Sequence, residues 1–548
     1  MLIPLVGAIV LKLSPERHAK WIALAWTTLA FFASVFAAFL FDWNNAGAFQ
    51  FEASFPFLPS VGVTLSFGVD SVAMLLLLLT TLLGPLCILG SFTAVNKRIK
   101  SYYGWMLVLQ AAMTGVFVSR DLILFYLSFE FTLAPMFVLI SIFGGSNRRA
   151  AANKFFLYTF TGSMIALAGL VYVGSVAAQL NDGVWTFQIA DLQAAAVRMT
   201  PREQSWILLA LLSGFAVKVP LFPLHTWLPL AHTEAPTAGS VLLASVLLKL
   251  GTYGIYRFVL PFVPVAVAQY APLIAVFAIV GILYAGLICW VQRDVKKLVA
   301  YSSVSHLGFC ILGLVALNMV GAAGSVMYMI NHGLSTGALF FCIGMIYERY
   351  HTRSMDELGG LAKRMPLWAF FMVFFALASV GLPGLNGFVG EFMTLFGAFQ
   401  SGASDIGPGG TGGPLGPWFA AVAATGMVVA AMYLLYMVGK VVFGPLKEPD
   451  DHHAHDVLPT DLNAREVAVL APLAIACVFL GVYPTPVLRS LEAPVAQTIA
   501  AAAAASEPMA LGKISAPDKT DPADTAPTLV SLAPESNELV IAGEERTP

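Results

Sequence analysis

Four charged side chains, Glu130, Lys218, Lys249 and Glu391, lie inside stretches of this chain that are otherwise apolar enough to cross a membrane. An ionisable group near the centre of a bilayer costs roughly 2.5 to 3.5 kcal/mol on insertion scales, so such groups are kept for a purpose and are usually paired. Helix rise gives each an approximate depth: Glu130 lies about 14 Å beyond Asp121, Lys218 about 18 Å beyond Trp206, Lys249 about 20 Å beyond Pro236 and His306 about 14 Å beyond Lys297. In an apolar core roughly 30 Å thick all four fall near the middle, as a rank in the membrane plane and not a column through it. A lone mid-span Glu or Lys also fits a structural ion pair between helices, and His306 and His332, with His225 and His232 behind them, also fit plain interhelical hydrogen bonds. A set at one depth favours proton exchange. A cation drawn into a low-dielectric interior holds its proton less firmly and a carboxylate more firmly, while proximity of the two restores both charges. Glu130 and Lys218 would therefore be charged when close, and Lys218 would release its proton as they separate.

The elements that position these groups follow from composition. Over 548 residues the chain is 58% hydrophobic and 11% charged, which suits a bilayer and not water. The expected fold is an all-α polytopic membrane protein with about fourteen apolar segments at roughly 20 residues each. They lie near 1–13, 19–42, 71–95, 102–119, 121–143, 153–178, 205–230, 237–260, 271–292, 296–317, 320–348, 366–400, 418–443 and 465–489. The first is short and lacks the basic start and cleavage site of a signal peptide, so it reads as a true first span, with a clipped beginning left open.

Lys and Arg fall after the odd-numbered segments: Lys12, Arg17 and Lys20; Lys97, Arg98 and Lys100; Arg148, Arg149 and Lys154; Arg293, Lys296 and Lys297; Arg349, Arg353, Lys363 and Arg364. Arg120, Arg198 and Arg202 are the main exceptions. The positive-inside bias makes the basic side cytoplasmic and, with fourteen spans, puts both termini outside. The net charge of -2 adds nothing, and no basic cluster reads as a nucleic-acid site.

Cys87, Cys289, Cys310, Cys342 and Cys477 are widely spaced inside apolar segments, with no C-x-x-C pair to suggest a disulfide framework, an iron-sulfur cluster or a zinc site. His452, His453 and His455 read as a solvated loop in preference to a metal site. The Gly-Pro run from Gly407 to Pro417 has no strand before it and no Lys-Ser/Thr after it, so it reads as an interhelical loop and not a phosphate cradle. The residues thus carry no nucleotide, flavin or metal chemistry. From Leu491 the composition turns to Ala, Pro, Ser, Asp and Glu, which predicts a flexible tail with a short helix through the Ala run near 500.

Segments 7 and 12 carry the second clue. Pro220, Pro223 and Pro229 follow Lys218, and Pro383 with several glycines precedes Glu391. Proline removes a backbone donor and clashes with the preceding turn, so both helices are expected to break near the membrane middle, with polar or hydrated surroundings for the freed backbone groups. The two breaks stand five segments apart. Corresponding breaks in two halves of a transporter mark repeated units with a site in each, and an odd repeat length makes the copies inverted. The expected organisation is helices 1–3 in residues 1–101, a first repeat of helices 4–8 in 102–260 and a second of helices 9–13 in 271–443. A last span over 465–489 and a flexible low-complexity tail over 490–548 complete it.

Four motifs carry a family likeness: FYLSFEFTLAPMF around Glu130, FAVKVPLFPLHTWLPLAHTEAPTAGSVLLASVLLKLGTYG from Phe215 to Gly254, KKLVAYSSVSHLGF from Lys296, and GLPGLNGFVGEFMTLFGAF from Gly381. Over residues 1–490 the sequence resembles the antiporter-like subunits of respiratory complex I, most of all subunit M of bacterial NADH-quinone oxidoreductase, the equivalent of mitochondrial subunit 4. The resemblance implies fourteen helices with inverted repeats and a proton-translocating relay: Glu130 as the helix 5 carboxylate, Lys218 as the helix 7 lysine, Lys249 as the connecting lysine, His306 and His332 as central histidines, and Glu391 as the helix 12 acid. A Glu at the last position resembles subunit M, whereas the L and N paralogues and the Mrp antiporter D subunit usually have Lys.

The resemblance further implies no cofactor in this chain, with NADH, FMN, iron-sulfur clusters and quinone handled by partner subunits. The implied setting is a bacterial inner membrane beside the L and N paralogues. Leu230 departs from the charged or polar residue that relatives often carry, the tail is longer than usual, and the long lateral helix of subunit L is missing. The competing readings are an Mrp-type cation/proton antiporter subunit and a passive scaffold in a membrane oxidoreductase.

Overall fold

A computed structural model describes residues 1–402, 413–449 and 460–510; His452, His453, His455 and the 407–412 part of the Gly-Pro run lie outside these described residues. In chain order the elements are α1 Leu2–Leu13, α2 Ala19–Leu40, β1 Gln50–Leu58, β2 Val63–Val69, α3 Ser71–Gly90, α4 Ile99–Val118, α5 Leu122–Phe143, α6 Arg148–Leu180, α7 Ile189–Ala196, α8 Pro201–Lys218, α9 Leu228–Glu234 and α10 Thr237–Phe262. They continue with α11 Pro264–Trp290, α12 Val295–Val315, α13 Met319–Tyr350, α14 Pro366–Val380, α15 Asn386–Gln400, α16 Pro417–Val441, α17 Ala464–Val482 and α18 Thr485–Ala510.

Among the described residues, 10 helices are long and apolar enough to cross a membrane. The remaining four expected segments differ for local reasons. α1 has only 12 residues, α4 carries Lys100, Gln110 and several hydroxyls, and the other two segments are split by their prolines.

The helices begin where polar side chains satisfy their first backbone N–H groups. Asp70 caps α3, Asp121 caps α5 and Asp294 caps α12, each accepting from backbone nitrogens of the first turn. Thr200 with Glu203, and Asn463 with Glu466, form reciprocal capping boxes at α8 and α17.

α10 and α13 form the interior, and every residue of their most apolar stretches is buried. They approach closely because α13 presents small residues: a β-carbon at Gly333 would stand 2.9 Å from the Ser245 carbonyl oxygen of α10. The outer helices turn large apolar side chains outward, among them Trp21, Phe32, Leu157, Trp206, Leu209, Val428 and Ile475, as a bilayer solvent requires.

Three features correct the sequence reading. The fold is not purely helical: β1 and β2 pair antiparallel, with Gln50 opposite Val69 and Leu58 opposite Val63. Aromatic and β-branched residues favour the strands, and Gly62 turns the hairpin at φ +71, where a side chain would also strike the Trp185 carbonyl. The short helix expected near residue 500 is present but much longer, running from Thr485 to Ala510 where a flexible tail is expected from 490. α17 stops at Val482 before Pro484, and α18 buries Leu491, Val495, Ile499 and Ala502 along one face against α11 and α13. Tyr256 donates to the Pro494 carbonyl at 3.0 Å and fixes this packing. Lys296, grouped above with the basic residues between segments, is buried and donates to the Ala235 carbonyl at 2.6 Å.

Both expected helix breaks are present. α8 ends at Lys218 and helix resumes at Leu228; the carbonyl of Val217, freed by the break, accepts the Trp227 indole N–H at 3.0 Å. α14 ends at Val380, with Gly381 at φ +82, and α15 resumes at Asn386. There Asn331 donates to the Asn386 carbonyl at 2.6 Å and Asn386 to the Asn331 carbonyl at 3.1 Å, a reciprocal amide pair that ties the start of α15 to α13.

Candidate functional site

Lys218 is the last residue of α8, buried to 3% exposure, and its ammonium meets α5. Nζ donates to Thr132 Oγ1 at 3.2 Å and to the Phe129 carbonyl at 3.5 Å, and it lies 4.1 Å from the centre of the Phe129 ring. A carbonyl, a hydroxyl and an aromatic face thus hold the cation where α5 is interrupted at Thr132. Glu130 follows Phe129 directly on α5, half-buried, and among the described residues neither carboxylate oxygen is hydrogen-bonded. The two interact electrostatically, yet no ion pair within 4.0 Å joins them among the described residues: the structure holds the pair apart.

Lys249 is fully buried in α10, between two π-helical turns at Leu243–Leu247 and Ile255–Val259. A π-turn leaves carbonyls short of their usual donors, and Lys249 Nζ takes one of them, Ala244 O, at 2.6 Å. The same nitrogen stands 2.6 Å from His332 Nδ1 on α13. His332 faces His306 of α12, with ring centres 5.7 Å apart. His306 Nδ1 lies 2.6 Å from Tyr328 Oη and 3.2 Å from Glu391 Oε1, and the Tyr328 hydroxyl donates to that same carboxylate oxygen. Tyr433 approaches the other ring nitrogen of His306 at 3.5 Å, and Glu391 Oε2 is buried without a partner.

Four helices, α10, α12, α13 and α15, therefore bring Lys249, His332, His306 and Glu391 into one buried polar file. Among the described residues no hydrogen bond links this file to Lys218, so the six candidate residues form two groups. α8 and α10 nevertheless touch, since a β-carbon at Gly251 would stand 2.8 Å from the backbone nitrogen of Val219. His225 stacks on Phe222 and meets Tyr284 edge-on, and His232 lies 4.7 Å from the Phe340 ring centre; among the described residues both His232 nitrogens are unpartnered and neither histidine joins the file by a hydrogen bond.

Sequence reasoning missed Tyr328, Tyr433, Thr132 and the π-turns. Tyr328 stands four residues before His332 on one helix, a spacing that puts both on one face and was available to find it. Tyr433, on distant α16, left no such signal. Among the described residues no group of His, Cys, Asp and Glu is placed to hold a metal ion.

Residues 119–406 match the family described as NADH:quinone oxidoreductase/Mrp antiporter, TM. NADH-quinone oxidoreductase subunit M of Rhodobacter capsulatus is 41% identical over 91% of this chain and 95% of its own length. NADH-ubiquinone oxidoreductase chain 4 of Marchantia polymorpha is 36% identical over 91% of this chain and 96% of its own. Among solved structures, a chain of respiratory complex I from Thermus thermophilus superposes with a TM-score of 0.79 at 30% identity, covering 91% of this chain and 98% of that one. A chain of the Mrp complex from Dietzia gives 0.77 at 21% identity over 92% and 97%, a likeness of fold alone.

Proposed function

This multi-pass membrane chain belongs to the NADH:quinone oxidoreductase and Mrp antiporter membrane-subunit family, on its subunit M and chain 4 branch, and on that premise we propose that it moves protons through a mid-membrane relay of Glu130, Lys218, Lys249, His332, His306 and Glu391. One observation carries the reading: two hydrogen-bonded clusters buried among otherwise apolar helices, Lys249 with His332 and His306 with Tyr328 and Glu391, meeting at the facing rings of His332 and His306.

Each member has a step that its contacts support. Lys249 Nζ, held by Ala244 O, gives a proton to His332 Nδ1. The proton crosses between the facing rings to His306 and reaches Glu391 Oε1 through the Tyr328 hydroxyl, which accepts on one side and donates on the other. Glu391 Oε2, free of protein partners, is the release atom. Glu130 and Lys218 are the input pair: drawn together they are both charged, and in the separated arrangement Lys218 gives up its proton more readily. Nicotinamide oxidation, quinone reduction and their cofactors belong in this reading to partner subunits, with the L and N paralogues as membrane neighbours.

The same reading gives the chain fourteen membrane helices, inverted repeats over 102–260 and 271–443, and both termini on the periplasmic side of a bacterial inner membrane. The deciding experiment is acidification of inverted membrane vesicles driven by NADH, with matched sodium- and potassium-gradient exchange. NADH-driven uptake lost in Lys249→Met, in an assembled complex, supports the relay. Cation exchange without NADH dependence supports the Mrp-type alternative instead.

A further inference from the structure

A second polar site lies away from the relay, where the loops before α4 and α6 meet. Lys97, Arg98, Arg148 and Arg149 line a cavity of about 750 Å³ whose apolar wall includes Phe137 and Phe143, at the end of α5. Among the described residues no acidic side chain lines it and none of the four cations is in an ion pair. Arg148 makes one hydrogen bond, to the Gly144 carbonyl at 3.3 Å. The nearby acid, Glu234, is buried and engaged with the backbone N–H of Asn147 at 2.8 Å.

Three of the four cations stand at helix starts, Arg98 as the N-cap of α4 and Arg148 and Arg149 opening α6, and neither start has a side-chain cap. Helix N-termini carry partial positive charge, so cations there repel both the helix ends and one another. A general preference for basic loops on one membrane side explains cations in these loops, but not their convergence on one acid-free cavity. An anion resolves the repulsion. The wall identifies what carries the anion. One and two turns inward from Asn153, which also lines the cavity, Leu157 and Phe160 stand 62% and 40% exposed, and Met164 continues the same stripe. A free phosphate has no use for an apolar stripe, whereas an acyl chain lies along it.

We propose that this cavity binds the phosphate headgroup of an anionic glycerophospholipid, with one acyl chain against Leu157, Phe160 and Met164. Arg148 and Arg149 grip the phosphate as forked donors, and Lys97 and Arg98 close it from the opposite loop. The site does not depend on the relay and stands if that reading fails.

The test uses the full chain in its assembled complex, reconstituted in phosphatidylcholine vesicles with a trace of diazirine-bearing phosphatidylglycerol, and maps photo-crosslinks by peptide mass spectrometry. The expected result is labelling confined to residues 137–164. Unlabelled phosphatidylglycerol should suppress it, and phosphatidylcholine or inorganic phosphate should not. The paired substitution Arg148→Gln with Arg149→Gln should weaken competition roughly 30-fold, about fivefold for each charge removed. Arg148→Lys with Arg149→Lys, which keeps the charge, should retain most of the labelling and so separates charge from damage to the fold. Equal labelling by a phosphatidylcholine probe, indifference to the glutamine pair, competition by inorganic phosphate, or no label in this segment of an intact complex because a neighbouring protein covers it, would each overturn the proposal.

Discussion

Removing one hydroxyl, in Tyr328→Phe, tests the relay at its narrowest point. Tyr328 Oη is 2.6 Å from His306 Nδ1 and donates to Glu391 Oε1, so among the described residues it is the one group that hydrogen-bonds both the last histidine and the acid. Phenylalanine keeps the ring and its packing against Phe309 and leaves Glu391 only the longer contact to His306 at 3.2 Å. A hydrogen bond to a charged group in a protein interior is worth about 1.5 to 3 kcal/mol. If that difference falls on the protonation step at Glu391, the step slows roughly ten- to hundred-fold, at about tenfold per 1.36 kcal/mol. The assay is the ratio of vesicle acidification to NADH oxidation, with assembly verified on a native gel. Adding Glu391→Gln to Tyr328→Phe should cost little more than Glu391→Gln alone, because residues acting as one unit are not additive. Native acidification in the assembled phenylalanine variant would refute a proton path through Tyr328.

Four further outcomes are expected. Lys218→Ala should abolish most NADH-driven uptake while the complex stays assembled, since the Thr132 and Phe129 contacts it loses are few; normal uptake would remove Lys218 from the input pair. Glu391→Lys should retain more uptake than Glu391→Gln, because Lys cycles between charged and neutral forms and Gln does not; equal uptake by Gln and the native acid would make Glu391 structural. An acid placed one turn back, Tyr126→Glu in a Glu130→Ala background, should restore part of the uptake, although it gives up the Tyr126 bond to the Ser163 carbonyl; no recovery would mean that the input acid needs one fixed position. Trp227→Phe should strand the Val217 carbonyl and lower the unfolding free energy by about 1 to 3 kcal/mol, read as earlier thermal loss of assembled complex; unchanged stability would show that the indole bond is dispensable.

The parts of this structure that were legible beforehand are those written in chemistry the bilayer penalises. Mid-span charges and prolines are costly in hydrocarbon, so Lys218, Lys249 and Glu391, and the breaks after Lys218 and Val380, stood out against an apolar background. What stayed hidden is made of residues that a membrane tolerates anywhere. The π-turns that flank Lys249 arise in LASVL, which packs against α13, and in IYRFV, which packs against α8; neither stretch contains a proline to mark it. Tyr328 and Tyr433 look like ordinary interior aromatics until the folding of α12, α13, α15 and α16 around one point turns their hydroxyls onto His306. The hairpin and the α18 face were missed for the converse reason: their alternation and amphipathic spacing are weak signals beside long apolar runs. The same logic explains why Glu130 and Lys218 are apart. A cation offered a hydroxyl, a carbonyl and an aromatic face at the Thr132 interruption is partly solvated without its carboxylate, so separation of the pair is affordable and its closure can be driven or reversed by small shifts of α5 against α8. A direct buried ion pair would be harder to open, so the proposed relay, in which the pair closes and opens, is better served by the arrangement seen here.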